Sequence, residues 1–511
     1  MTSTSPALVL AVAAVAAVVL RDRLSSKKRV PLPPGPPADP FIGHLRLVPS
    51  EGQDVFFYKL GKQYGDVVQL RVLGRSLIIL NSVQAANDLL DKRSANYSDR
   101  PDLPIYELMG EGDMLGFVKY GDEFRAQRRM INGYFSQDKV KNHRPVQIRE
   151  ARILAYGLLQ TPEKRSDVLS RFSTAIIVDV GYGHQIVSTN DPYVKIAGDV
   201  GRVMSESGPP GATLVDAFPI LRYFPSWFPG TYYANYARNS QGVVRRLKEF
   251  PFNQVKEQIA QGTAKPSFLQ AQLETMNQTG QRDETLAKRI QATAAVLYQG
   301  GADTTSAVLD FFFLAMLLYP QYQAKAHEEI DAVVGQERLP ELHDRNSLPY
   351  LECLIYETLR WYQPAPTGGP HKSMEDDIYN GMLIPKGSIL IPNIRGMTWD
   401  DNVYQDPFNF DPTRFMPAPM GRGEPYPPAF GFGRRVCPGR HLAIESLWLS
   451  VATIMATMTI HRTVDRDGKE VIPDVLPVTT GITSHPRPFQ AILKPRTPNS
   501  FTLLKHAVES G

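Results

Sequence analysis

The sequence predicts a mostly α fold with a small β subdomain, forming one large domain behind an N-terminal membrane helix. Three observations carry this expectation. A helical pattern runs from Asp283 to Tyr319 and stops at Pro320. Short strand-like runs lie near each end, and no Ser/Gly linker divides residues 40–500. The chain has 511 residues, too many for a small module, yet nothing repeats at a fixed period. Hydrophobic residues at 42% and charged residues at 21% are globular values and exclude a disordered or fibrous chain.

Residues 6–20 carry no charge and are mostly Ala and Val. As a helix they reach roughly 22 Å, so residues 2–5 must enter the interface to complete a ~30 Å hydrocarbon core. No Lys or Arg precedes this run, whereas Arg21, Arg23, Lys27, Lys28 and Arg29 follow it. The positive-inside rule then puts the rest of the chain in the cytosol, with residues 1–20 as a retained transmembrane anchor rather than a cleaved signal. Residues 21–40 form a basic and proline-rich hinge, read either as a stiff polyproline spacer or as a plain linker. The remaining domain spans residues 41–511.

Within that domain, Val67–Val72 and residues 76–80 read as a hairpin, and residues 388–391 and 490–493 as later strands. The run from Asp283 covers about 36 residues, or ~54 Å, with Asp283 as N-cap and Glu284 in the first turn. Gln291, Gln299, Asp303 and Asp310 interrupt its apolar surface, which argues for a central helix of the domain and against a second span. The net charge of +4, from 56 basic and 52 acidic residues, includes no basic run interleaved with aromatics, so no nucleic-acid partner is expected. Two cysteines, Cys353 and Cys437, supply neither a disulfide framework nor a structural zinc site.

Cys437 lies in Phe430-Gly431-Phe432-Gly433-Arg434-Arg435-Val436-Cys437-Pro438-Gly439, just before a helical pattern from about His441 through Ile454. A helix N-terminus stabilises a thiolate through its dipole and unpaired N–H groups. Gly433 and Gly439 allow close approach or positive φ, and Pro438 suits a first helical turn. Arg435 adds a cation beside the thiolate, or a partner for a carboxylate on a cofactor. A buried free cysteine beside a turn is the plainer reading of these residues alone. A zinc site from Cys437 and His441 lacks two further ligands, and a phosphate loop at Gly431 and Gly433 lacks the rest of its motif.

The pattern F-x-x-G-x-R-x-C-x-G resembles the haem-binding loop of the cytochrome P-450 superfamily. That resemblance implies haem b, with Cys437 as axial ligand of the iron, Phe430 packed by the ligand loop and Arg435 on a haem propionate. Gly300-Gly301-Ala302-Asp303-Thr304-Thr305, inside the long helix, is similar to the family's oxygen-activation motif, in which an acid and a threonine manage protons. On residues alone, two helical glycines cost about 1 kcal/mol each. They suggest close approach of a flat cofactor, with Asp303 and Thr304 as proton donors. The alternative is a kinked helix with Thr304 bonded to its own i−4 carbonyl.

Glu357 and Arg360 match the family's E-x-x-R, and Arg414 in Pro412-Thr413-Arg414-Phe415 matches its third partner. Together they imply a structural clamp without chemistry of its own. Phe124-Arg125-Ala126-Gln127-Arg128 stands where the family has W-x-x-x-R. Arg128 keeps the propionate ligand, while Phe124 loses an indole N–H donor. His371 corresponds to a third propionate contact. Stretches such as residues 96–101, 224–230 and 376–387 resemble fungal secondary-metabolism members of the sterigmatocystin-type oxidoreductase group.

The resemblance implies a monooxygenase of the endoplasmic reticulum membrane, single-pass, with its catalytic domain facing the cytosol. It would oxidise a lipophilic small molecule with O2, using electrons from NADPH through a separate flavoprotein reductase, because no flavin or nicotinamide fingerprint occurs in this chain. A P-450-fold isomerase or dehydratase and a non-catalytic haem or lipid binder are the alternatives. Residues 103–118, 208–228, 365–369 and 479–483, with the turn at Gly300, are expected to line an apolar pocket.

Overall fold

The computed structural model describes residues 30–208, 211, 213–278, 283–475 and 482–510. The anchor expected before residue 21 lies outside them, as does the basic run up to residue 29. Among the described residues, helices dominate and three small sheets complete the fold. The largest sheet has the order β1-β2-β6-β3, from β1 (Val67–Val72), β2 (Arg75–Leu80), β6 (Ile389–Pro392) and β3 (His371–Lys372). β1 and β2 form the expected antiparallel hairpin, with Val67 opposite Leu80. β6 joins β2 in parallel, pairing Leu77 with Ile389. Residues 312 positions apart therefore close one sheet, and Leu77, Ile78, Ile79 and Leu80 are all buried in it. A second hairpin joins β4 (Asp377–Tyr379) to β5 (Met382–Ile384).

One strand expectation shifts. The run expected at 490–493 is observed as β8 (Ile492–Pro495), paired with β7 (Met458–His461). The family resemblance also implies a C-terminal hairpin around residues 480–489, and its first residues, 480 and 481, lie outside the described residues. The proline segment departs from its reading as a stand-off spacer. The Pro31 and Pro34 carbonyls accept the Leu383 and Gln69 N–H groups at 2.7 and 2.8 Å. His44 Nε2 reaches the Pro36 carbonyl at 2.8 Å. Proline lacks a donor but keeps its carbonyl, so such a segment can dock along a sheet edge as a pure acceptor.

The central helix is Glu284–Leu318, capped by Asp283, whose carboxylate accepts the Thr285 N–H at 2.8 Å. It is long and apolar enough to cross a membrane, but 72% of its apolar window is buried inside the fold. Its Phe311, Phe312 and Phe313 are all buried, which only a helix surrounded by protein allows. The neighbouring helix Arg165–Tyr182 packs closely on it. A Cβ added at Gly301 would lie 2.7 Å from Ile177 Cγ1 on that helix, whereas one at Gly300 would meet nothing within 4 Å. The two glycines therefore serve different ends: Gly301 permits close helix packing, and Gly300 leaves a cavity open.

This difference has a measurable consequence. Gly301→Ala forces Ile177 aside, so it is expected to destabilise by about 1–3 kcal/mol, less the ~1 kcal/mol gained in helix propensity. Gly300→Ala gains the propensity without the clash and should hold or raise Tm. Thermal melts of the two variants check this, and equal shifts would contradict the packing argument.

Candidate functional site

Cys437 sits at the mouth of the helix Arg440–Thr457, whose N-cap is Gly439. Pro438 thus precedes the helix and is not in its first turn. The loop closes through the Cys437 N–H, which donates to the Phe430 carbonyl at 2.9 Å. Gly433 has φ +54°, and a Cβ there would stand 2.0 Å from the Leu90 carbonyl oxygen, so no other residue fits. Gly439, by contrast, has φ −86°, and a Cβ there would lie at ordinary distance, 4.0 Å, from Cys437 Sγ. Burial pushes the Cys437 thiol up, while the N–H groups of Gly439 and Arg440 and the charges of Arg128 and Arg440 pull against it. The helix terminus helps the thiolate as expected, but it does not outweigh burial unaided.

The thiol opens into a cavity of about 360 Å³ between its loop and the central helix, lined also by Phe430, Arg128, Arg435, His371, Gly300 and Thr304. Three guanidiniums converge on one edge of it. Arg435 donates to the Ser98, Leu115 and Val118 carbonyls at 2.8, 3.1 and 2.8 Å and stacks 3.9 Å from the Phe124 ring centroid. The phenyl ring thus supports the guanidinium's face, which needs no N–H donor. Arg128 donates to the Val436 carbonyl at 2.6 Å. Arg100, which the sequence did not single out, donates to the Gly116 carbonyl at 2.8 Å and to the Pro370 carbonyl.

Among the described residues, none of these three arginines forms an ion pair with a carboxylate. Burial pushes Arg435 down to about 8 and Arg100 to about 10. Because a guanidinium in a protein keeps its proton, charge held out of water here favours an anionic partner at this edge. His371 is pushed down to about 3, by burial and then by Arg100. Its Nδ1 lies 2.7 Å from the Tyr97 carbonyl, which fixes Nδ1 as the donor and leaves Nε2 as the remaining ring nitrogen. A half-buried thiol, three cations lacking carboxylates and a mainly apolar slot between them fit a flat cofactor bearing carboxylates and a thiolate-binding metal.

On the opposite wall, Gly300 and Thr304 also line a second cavity, of about 220 Å³. The two cavities therefore meet at this turn of the central helix. The second is lined mainly by apolar groups, among them Leu103, Phe117, Val200, Met204, Leu247 and Val296. Gly368, Gly369, Ile482 and Thr483 join them, as expected of residues 365–369 and 479–483. No described residue of 208–228 does so; the preceding helix Pro192–Glu206 takes that place with Ala197, Val200, Gly201 and Met204.

Thr304 Oγ1 donates to the Gly300 carbonyl at 2.8 Å, the i−4 bond of the alternative reading, while its side chain still borders both cavities. Asp303 does not bond Thr304. Its carboxylate lies 3.1 Å from His485 Nε2, a residue far along the chain that carries no motif.

Behind the thiol loop, Glu357 accepts Arg360 Nε and Nη2 at 2.7 and 2.8 Å, and Arg414 Nε lies 3.0 Å from the same carboxylate. All three side chains are fully buried. Arg414 also binds Glu424 at 2.7 Å, which balances two cations with two carboxylates. Removing one member of a buried pair of this kind costs about 3–5 kcal/mol. The other thiol, Cys353, is buried and pushed up to about 12, away from either cavity.

Comparison with known proteins agrees with this geometry. The family model described as Cytochrome P450 matches residues 33–492. Cytochrome P450 monooxygenase 176 of Postia placenta is 36% identical over 489 residues, covering 95% of this chain and 94% of its own. Cytochrome P450 monooxygenase claR of Ampulloclitocybe clavipes is 38% identical, covering 94% of this chain and 89% of its own. Tryptamine 4-monooxygenase of Psilocybe cyanescens is 36% identical, covering 92% of this chain and 94% of its own. With the thiol, the slot and the central helix arranged as described, and with relatives named monooxygenases along nearly its whole length, the chain belongs to the cytochrome P450 family, which implies haem iron.

Proposed function

We propose that the chain is a membrane-anchored haem-thiolate monooxygenase that inserts one atom of O2 into a lipophilic small molecule, with electrons from NADPH passed on by a separate flavoprotein reductase. The observation that carries this reading is the slot of about 360 Å³ with Cys437 on one side, Gly300 and Thr304 on the other, and guanidiniums without carboxylates at its edge. Haem b, when bound, supplies the oxygen chemistry. Cys437 Sγ is the residue to ligate its iron, with Phe430 packed beside it. Arg128 and Arg435, joined by Arg100, are placed to receive two propionates, with His371 Nε2 as a further contact. Glu357, Arg360 and Arg414 hold the segments behind the loop rigid.

The chain's own task on the other wall is to hold substrate, restrain water and move a proton. The apolar lining of the adjoining cavity favours a terpenoid, polyketide or aromatic scaffold over a charged metabolite. Fungal relatives, one of them named for tryptamine, support a place in secondary metabolism. Thr304 must turn its hydroxyl proton from the Gly300 carbonyl to donate into the cavity. Asp303 then reloads it. The modest basic surplus of +4 suits an acidic reductase surface.

Residues 6–20 and the basic residues after them support a single-pass anchor in the endoplasmic reticulum, with the domain facing the cytosol. A second contact is supported by exposed apolar side chains at Leu214, Phe218, Ile220 and Trp227, beside Phe41 and Leu47. The two segments abut, since Leu45 and Leu214 line one small gap.

Three outcomes check this reading. Cys437→Ser should abolish the thiolate-type absorbance of the reduced carbon monoxide complex; retention of that band would reject Cys437 as ligand. Thr304→Ala should keep haem and NADPH consumption, yet divert electrons to hydrogen peroxide and lower product per NADPH by roughly tenfold or more. If Thr304→Ala and Thr304→Val both stay fully coupled, the hydroxyl has no part in proton delivery. The chain without residues 1–29 should still bind vesicles in a salt-resistant manner, and Trp227→Ser should weaken that binding; a truncated chain that stays in solution would leave the anchor as the sole contact.

A further inference from the structure

Asp303 borders two cavities. One is the apolar cavity shared with Thr304; the other, of about 260 Å³, lies on the opposite side and is lined by Ser170, Gly198, Arg202, Ser205 and His485. This second cavity is the more polar and the more open to solvent of the two. Its one imidazole among the described lining residues is His485, with Nε2 3.1 Å from Asp303 Oδ1. From these contacts we infer that His485 is the residue that delivers protons to Asp303, and that the 260 Å³ cavity is the inlet by which solvent recharges it. The inference rests on the monooxygenase reading and deepens it.

The step balances simply. The proton leaves His485 Nε2 for Asp303 Oδ1, and solvent in the inlet returns one to the imidazole. His485 acts through Asp303 and touches neither substrate nor cofactor, so it is a positioning and loading residue. The charges around it support this part. Burial alone would lower the His485 pKa, but the Asp303 bond and the charges of Asp303 and Asp310 outweigh it and raise it. Burial would raise Asp303, yet His485, with the Thr483 side chain, holds it below the ordinary carboxylate value. Asp310 is raised by burial and is itself engaged by Arg165 at 3.3 Å. On another wall, Arg202 is largely exposed and 3.8 Å from Asp199, and Arg487, two residues beyond His485 in the chain, is 3.3 Å from Asp474. Neither cation reaches Asp303 in place of His485. The pair keeps its cation below the raised histidine value and loses it as pH rises through that value.

The test uses full-length haem protein, with the reduced carbon monoxide spectrum confirming that each variant is folded. Histidine-selective NMR should give His485, assigned by its loss in His485→Gln, a pKa above the ordinary histidine value. Asp303→Asn should bring it down. With reductase, NADPH and 7-ethoxycoumarin as apolar probe, the fraction of electrons not lost to peroxide should fall roughly tenfold in His485→Gln. In the wild type that fraction should fall as pH passes the NMR value, and the inflection should vanish in His485→Gln. His485→Arg keeps the charge but cannot release a proton, so it should not restore the fraction. Gly198→Leu, at a site where an added Cβ meets nothing within 4 Å, should fill the inlet and raise the solvent isotope effect while leaving the His485 pKa in place. An unshifted His485 pKa in Asp303→Asn, full rescue by arginine, or an unaltered Gly198→Leu overturns the inference. A wild type that takes no electrons from NADPH overturns the monooxygenase reading first, and the role of His485 with it.

Discussion

Positive charge held largely out of water without a carboxylate partner is the constraint on which the rest of this site depends. Arg100, Arg128 and Arg435 meet at one edge of the slot and are bonded only to backbone carbonyls. Carbonyl dipoles orient a guanidinium but do not neutralise it, so each remains a charge withdrawn from water. Contrast the clamp a short distance away, where Glu357 and Glu424 balance Arg360 and Arg414 and neither arginine needs an outside partner. The fold uses arginine in both places. In one it closes the charge internally, and in the other it leaves the charge for a ligand to close.

The central helix imposes the complementary constraint. Gly301 brings it against Ile177, which fixes its distance from the neighbouring helix, and Gly300 leaves the slot open at the same turn. Two residues beyond Gly301, Asp303 faces away from the slot toward His485, while Thr304 stays at the junction of the two cavities. A helix turn of ~3.6 residues thus distributes packing, open slot space and the proposed proton donor and its source around its circumference.

The parts of this arrangement legible in the sequence were those written in local pattern. The hairpin, the cap at Asp283, the extent of the long helix and the cysteine loop all depend on neighbours within a few positions. Arg100 was not legible, because an Asp-Arg-Pro step looks like any surface turn until Pro370 and Gly116 fold over it. His485 was equally silent: its meaning comes from a helix some 180 residues earlier in the chain. The role of Gly301 was misread because a missing side chain does not say which neighbour needs the space. The proline segment gave its conformation but not its docking, since its carbonyls find their donors on Gln69 and Leu383 only in the assembled sheet.

The central claim is that the slot's cations are completed by the carboxylates of the cofactor as its thiol is by the metal. The most direct measurement compares thermal stability of the chain reconstituted with haemin and with haem dimethyl ester, in which both propionates are masked. The account expects the haemin complex to melt well above the ester complex, with Arg435→Leu narrowing the gap. Equal melting temperatures for the two complexes would contradict it.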